Sequence, residues 1–408
     1  MPSTYSIAPE TAANPSRKAS SDPVATLRFW GVRGSTPTVD KATWRYGGNT
    51  ACVELTTPAG ARIILDCGTG LRMLGRHLDA AEEPEKHEPH IFVTHYHWDH
   101  IQGIPFFSPL YAEQNRFHFY SFRSEYLGTG SLKRVFEAQM AYPYFPVDLK
   151  SMHAHREFTE VTGGDEICVP GARVTARWLD HPQGCLGFRF ETSAGTIVYA
   201  TDNEPGNPKL DKSLLDLAEG ADIFINDAQF SPEQLATTRK GWGHSTWLEG
   251  VKIAESVGVK NLVLFHHDPD STDKAVDSIL REARGRFANV WAAAEGMVMT
   301  LGDKDLDVVI PASREGLRRD AHFRARVTGL TDSGHSFEEE TVISDLTLQG
   351  ALIYLDHSPK LQSELQVLLD NPGIDGSVNS PLRLRGYVVR IEAQEDKERT
   401  AVGIVFTE

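Results

Sequence analysis

Apolar residues along this chain fall into short runs bounded by glycine, proline and polar clusters, the pattern of strands. From Thr26, LRFWGV, ACVELTT and ARIILD predict strands; RGSTP stops the first, and a Pro-Ala-Gly turn separates the other two. Helical spacing follows CGTG in LRMLGRHLDAA, and HIFVTH (90–95) reads as a short buried strand ending in polar residues. Strands alternating with helices predict an α/β layered fold. Residues 105–165 are rich in aromatics, with a helix in SLKRVFEAQM and a loop in AYPYFPVDL. A second series follows. ARVTARWLDH, CLGFRFET, TIVYATD, ADIFINDAQF and NLVLFHH read as strands. WLEGVKIAESVG, ending at Gly258, and DSILREARGRF read as helices. The two halves share a rhythm without a short-period repeat.

Near Pro311 the character changes. The basic run SREGLRRDAHFRAR precedes strand-like segments, ETVISDLTLQGALIYL, LRLRGYVVRIEA and AVGIVFT. The expected organisation is a flexible tail over 1–25, an α/β domain over 26–308, a linker near 305–313 and a small all-β domain over 314–408.

Composition adds limits. At roughly 100–200 residues per domain, 408 residues suit two or three domains. Hydrophobic residues at 40% and charged residues at 24% suit a soluble globular chain. No apolar run reaches membrane-span length, and the N-terminus lacks a signal-type apolar core, so no membrane association is expected. Cys52, Cys67, Cys168 and Cys185 form no CxxC pair and read as reduced thiols of a cytoplasmic protein. A net charge of −15 disfavours a generic nucleic-acid binder, and no stable nucleic-acid partner is expected.

The chemistry concentrates in His95-Tyr96-His97-Trp98-Asp99-His100, at the end of a predicted strand. Four metal-capable side chains in six residues can present His95 and His97 to one metal and Asp99 and His100 to another. Imidazole with carboxylate suits zinc, with manganese or iron as alternatives. This HxHxDH run resembles the signature of the metallo-β-lactamase superfamily. The resemblance covers residues 27–300 and implies an αββα sandwich with a dinuclear metal site at one edge. It implies His95, His97 and His181 on one metal, Asp99, His100 and His266 on the other, and Asp202 bridging; His267 is the alternative to His266. Asp66, in ILDCGTG, would orient the metal loop without ligating.

Such a pair suits hydrolysis of phosphodiesters, esters, thioesters or lactams. Gly243-His244-Ser245-Thr246 is similar to a segment of the tRNA 3′-processing ribonucleases and related phosphodiesterases, where the histidine reaches the scissile phosphate. A poor alkoxide leaving group needs a proton, so His244 is assigned to phosphate binding or general-acid work beside Asp99 and Asp202. HYHWDHIQGIPFFSP also resembles the class II cyclic-nucleotide phosphodiesterases, departing at Trp98 and at Pro105-Phe106. GVRGSTP with YGGNTACVEL resembles a bacterial branch near ribonuclease Z, whose glycines would let backbone approach the metals. No basic, glycine-rich tRNA-gripping arm is evident, and Met140, Tyr142, Tyr144 and Phe145 could stack a nucleobase. His118, His153 and His155 read as surface or structural residues. The expected function is hydrolysis of a small 3′,5′-cyclic nucleotide such as cyclic AMP. The alternatives are an RNA 3′-processing nuclease of ribonuclease Z type and a cyclic di-GMP receptor with a non-catalytic metal domain.

Residues 314–408 resemble a PilZ domain, which implies a cyclic di-GMP effector. Asp345-x-Thr347-x-x-Gly350 matches its turn, with Thr for Ser, and Arg318-Arg319 aligns with its arginine arm. His322 holds the second arginine position; Arg314 and Arg324 stand nearby, out of register. The competing use of such a domain is docking or homodimer contact.

Overall fold

The computed structural model describes residues 23–80, 86–302, 306–310, 323–343, 345–346, 350–372, 378–393 and 400–406. The chain divides into two compact units, Met1–Pro311 and Ala312–Glu408.

Two sheets form the first unit. One has eight strands in the order Leu306–Val309, Val298–Leu301, Ala25–Gly31, Cys52–Thr56, Arg62–Leu65, His90–Phe92, Arg116–Ser121 and His155–Glu160. The other has seven, in the order Val290–Ala292, Leu262–Phe265, Ile223–Asp227, Gly195–Ala200, Cys185–Thr192, Ala172–Leu179 and Glu166–Val169. Both sheets are mixed, with parallel pairs where a helix crosses over and some antiparallel pairs joined by a short turn.

Burial patterns explain the layers. The parallel strands Ile223–Asp227 and Leu262–Phe265 are buried along their whole length, because both of their faces are covered. Phe29, Phe92, Phe188, Phe190 and Phe265 pack between the sheets. Leu71, Leu74, Ile91, Phe119 and Phe136 join the first sheet to helices Gly70–Asp79 and Ser131–Gln139. Leu217, Phe224, Val251 and Leu264 join the second sheet to helices Pro208–Ala218 and Trp247–Val257. The result is helix, sheet, sheet, helix, the arrangement that the superfamily resemblance implies, where the strand–helix alternation alone predicts an α/β layered fold.

The aromatic region is more ordered than its composition suggests. Arg116–Ser121 and His155–Glu160 extend the first sheet in parallel. Two helices also went unread: Pro208–Ala218, capped by the Asn207 side chain, and Pro232–Thr237, closed by a Ser231–Gln234 capping box.

Among the described residues, the second unit forms a seven-stranded antiparallel sheet around Val327, Ile353, Leu365 and Val402. That bears out an all-β region without identifying its family. Arg318, Arg319 and Thr347 lie outside the described residues. Arg324 is exposed on the strand Phe323–Leu330, while Asp345 and Gly350 begin two other strands.

Candidate metal centre

Buried strands deliver their polar ends to one edge of the sandwich. Asp66 follows Arg62–Leu65, Asp202 follows Gly195–Ala200, His266 follows Leu262–Phe265, and His181 follows Ala172–Leu179. Asp66, Asp202 and His266 adopt left-handed φ values of 59°, 55° and 59°. Such strain costs about 1–3 kcal/mol per residue and collects at functional sites. One helical turn, Trp98–Ile101, begins inside the histidine motif. It buries Asp99 and His100 while leaving Trp98 79% exposed.

The predicted ligands converge in two groups. Metal-capable atoms of His95, His97 and His181 lie within 4.8 Å of one another, as do those of Asp99, His100 and His266. Asp202 stands between them. Its Oδ1 faces His95 Nε2 at 3.9 Å and His181 Nε2 at 4.0 Å. Its Oδ2 faces His100 Nε2 at 3.3 Å and His266 Nε2 at 3.4 Å. His267 turns away: its ring bonds the Ala293 carbonyl at 2.9 Å and meets Tyr46 edge-on.

Neighbouring groups hold each ring by its other nitrogen. His100 Nδ1 donates to Asp66 Oδ2 at 2.8 Å, His266 Nδ1 to Gln229 Oε1 at 2.8 Å, and His181 Nδ1 to the Gly243 carbonyl at 2.8 Å. Asp66 is itself held by the Tyr199 hydroxyl at 2.9 Å and by the Thr94 backbone N–H at 2.8 Å.

Three observations fit divalent cations here. His95 Nε2 is buried with no hydrogen-bond partner. His100 Nε2 and His266 Nε2 stand 3.2 Å apart, although both rings use Nδ1 as donor. Asp99 Oδ2 and Asp202 Oδ2 lie within 3.4 Å of both, so four donor atoms converge on one point. Finally, Asp66, Asp99, Asp202 and Asp227 are buried, and every ion pair they make among the described residues is with histidine. Burial holds His95 well below the usual imidazole range and pushes His181 down to about 4, so both rings are neutral donors.

His244 lies against this cluster, stacked on His266 at 5.1 Å between ring centres. Its Nδ1 bonds Asp227 Oδ2 at 2.8 Å. Burial opposes its charge, but Asp227 and then Asp202 and Asp99 overcome that and raise it to about 9. Asp227 was not singled out from sequence. It ends a buried strand as Asp202 and Asp66 follow theirs, and that shared placement was the available signal.

Glycines admit close approach at two points. A Cβ on Gly34 would lie 2.4 Å from the His266 ring, and one on Gly243 2.2 Å from His181 Nδ1. His118 sits between Glu88 and Glu157, and His153 and His155 are exposed, all away from the cluster. Of the proposed stacking residues, Met140 is core, and Tyr142 is exposed outside the cavity beside the metals. Tyr144 and Phe145 line that cavity, joined by Trp98 and Phe106.

Residues 61–267 match the sequence model of the beta-lactamase superfamily domain. The chain is 24% identical over 328 residues to ribonuclease Z of Archaeoglobus fulgidus, covering 66% of this chain and 96% of that protein. It is 23% identical over 297 residues to ribonuclease Z of Lachnoclostridium phytofermentans, covering 60% and 90%. Among solved structures it superposes on the metallo-beta-lactamase fold protein YhfI from Bacillus subtilis with a TM-score of 0.51 at 19% identity, over 68% of this chain and 99% of that one. A diphosphatase from the PhnP family gives 0.50 at 20% identity, over 68% and 98%. These two likenesses are of fold, and the superfamily fold typically holds two divalent metals.

Two expectations need correction. The ribonuclease Z relatives favour the RNA alternative over a cyclic nucleotide. The cyclic-phosphodiesterase resemblance departs at Trp98, Pro105 and Phe106, and all three line the cavity beside the ligand cluster. The small-nucleotide substrate expected as partner falls with it. A charge of −15 is a whole-chain sum, whereas among the described residues Arg72 and Arg134 line this cavity and no Asp or Glu does.

Proposed function

Because the chain belongs to the beta-lactamase superfamily, we propose that it hydrolyses phosphodiester bonds in RNA, in the manner of the 3′-processing ribonucleases it resembles. His95, His97 and His181 would hold one divalent metal and Asp99, His100 and His266 a second, with Asp202 shared. Zinc suits these ligands, with manganese or iron as alternatives. When bound, the metals acidify water and neutralise charge on the phosphate oxygens.

The observation that carries the reading is the His244–Asp227 pair beside the ligand cluster. A ribose oxygen leaving from phosphorus is a strong base and needs a proton as it departs. His244, whose Nδ1 is hydrogen-bonded to Asp227, would give it from Nε2. Asp227 fixes the ring through Nδ1, and Asp66 does the same for His100.

The test is cleavage of a 3′-extended precursor tRNA by the zinc- or manganese-loaded protein, read on a sequencing gel. His244→Ala should slow RNA cleavage about 10²–10⁴-fold. A nitrophenyl phosphodiester, whose leaving group needs no proton, should slow less than about tenfold. Intact RNA with both metals confirmed bound would sink this reading.

A further inference from the structure

A cavity of about 970 Å³ opens beside the ligand cluster and shares His95 and His97 with it. That is near the upper end of small-molecule sites, roughly 300–1,000 Å³. Trp98, Phe106 and Tyr144 line it while 79%, 56% and 84% exposed. Phe145 braces Phe106 edge-on, with ring centres 5.7 Å apart. Large aromatic surface left in water beside a catalytic cluster marks a binding surface. Arg134 also lines the cavity, steadied by a 2.6 Å bond from Nη1 to the Leu127 carbonyl. With Arg72 it makes the wall cationic, and among the described residues no carboxylate lines it.

We infer that this cavity is a subsite for one unpaired nucleotide flanking the scissile phosphate, its base stacked on the Phe106–Tyr144 rim and its outer phosphate facing Arg134 and Arg72. The inference rests on the RNA reading and names the form of RNA selected. Both halves of the lining are needed for the argument. An acyl chain would leave two arginines without an anionic partner, and a bare phosphate would leave the aromatic rim unused. Any nucleobase offers a flat face for stacking, so the subsite selects an unstacked nucleotide rather than a sequence. Bases inside a duplex have both faces covered and cannot enter.

Fluorescence anisotropy of a short labelled single-stranded RNA, bound to the metal-loaded full chain, tests this. A His244→Ala background in every arm slows cleavage during the measurement. An abasic residue is placed at each position of the strand in turn. At one position it should weaken binding about tenfold, and a fully paired duplex should bind at least about tenfold more weakly than the single strand. Phe106→Ala/Tyr144→Ala should weaken binding of the intact strand about tenfold and remove the abasic effect, because the two changes delete the same contact. Both side chains are more than half exposed, so their loss leaves the core intact. No sensitive position, an abasic effect that survives in the double variant, or equal binding of duplex and single strand would overturn the subsite. Cleavage is read separately. Absent cleavage with the binding pattern present would defeat the reaction and leave the subsite standing.

Discussion

Asp227 Oδ2 lies 2.8 Å from His244 Nδ1, and the same carboxylate accepts from the backbone N–H groups of Ser245, Gln229 and Asp202. One strand end thereby fixes the turn carrying His244 and the residue shared by both ligand groups.

Replacing Asp227 with Asn keeps the volume but removes the charge that holds His244 as imidazolium. The expected outcome is a fall in kcat for RNA of about 100-fold, with KM and bound metal nearly unchanged. Single-turnover kinetics and elemental analysis on one preparation check it. Loss of metal in step with activity would show that Asp227 maintains the ligand cluster instead.

Tyr199 is fully buried and gives its hydroxyl to Asp66. Tyr199→Phe leaves Asp66 one donor short and loosens its hold on His100. A bond to a charged group contributes about 1.5–3 kcal/mol, so urea unfolding should show a loss of that size. Zinc affinity, read by chelator competition, should fall about tenfold.

Gly243 sits at a φ of 84°, and its carbonyl accepts from His181. Gly243→Ala imposes left-handed strain of about 1–2 kcal/mol and pushes a methyl into the His181 ring. The variant should fold and carry about half the wild-type zinc, because His181 belongs to one of two groups. Full zinc occupancy would refute this role for the glycine.

Arg33 is fully buried and bonds the carbonyls of Gly47, Asp268 and Ser271. It closes the loop behind His266 and His267 with no part in ligation. Arg33→Met strands three carbonyls, each costing about 1–3 kcal/mol. Denaturant unfolding should show a loss of at least about 3 kcal/mol, and any protein that remains folded should keep its specific activity.

Removing the metals should expose the charge imbalance of the four buried carboxylates. A ligand present at a thousand times its Kd stabilises by about 4 kcal/mol. Dialysis against a chelator should therefore lower Tm by several degrees, and zinc should restore it. An unchanged Tm would mean that protons alone balance the site.

Much of this was legible in the chain because it is local. The helix ending at Gly258 needs only its spacing and a left-handed cap, and the structure ends it there with φ 71°. Histidines two residues apart at a strand end share a site wherever that strand packs, so His95 and His97 could be read directly. His181, Asp202 and His266 were proposed from the superfamily resemblance, each standing at or just after the end of a strand-like run. The strands Arg116–Ser121 and His155–Glu160 are paired in parallel with each other across a long connection, a pairing that no local pattern reports.

Only the tertiary structure could decide the rest. Whether His266 or His267 enters the site depends on a left-handed φ at the strand end, set by what packs on either side. Asp227 became important by standing 2.8 Å from a histidine seventeen residues away in the chain. The cavity draws Arg72, Trp98, Phe106, Arg134 and Tyr144 from separate elements, so its charge cannot be summed from composition. Residue types and strand-end order made the metal chemistry readable in the sequence. The choice of substrate rests on contacts between distant segments, which the folded chain alone brings together.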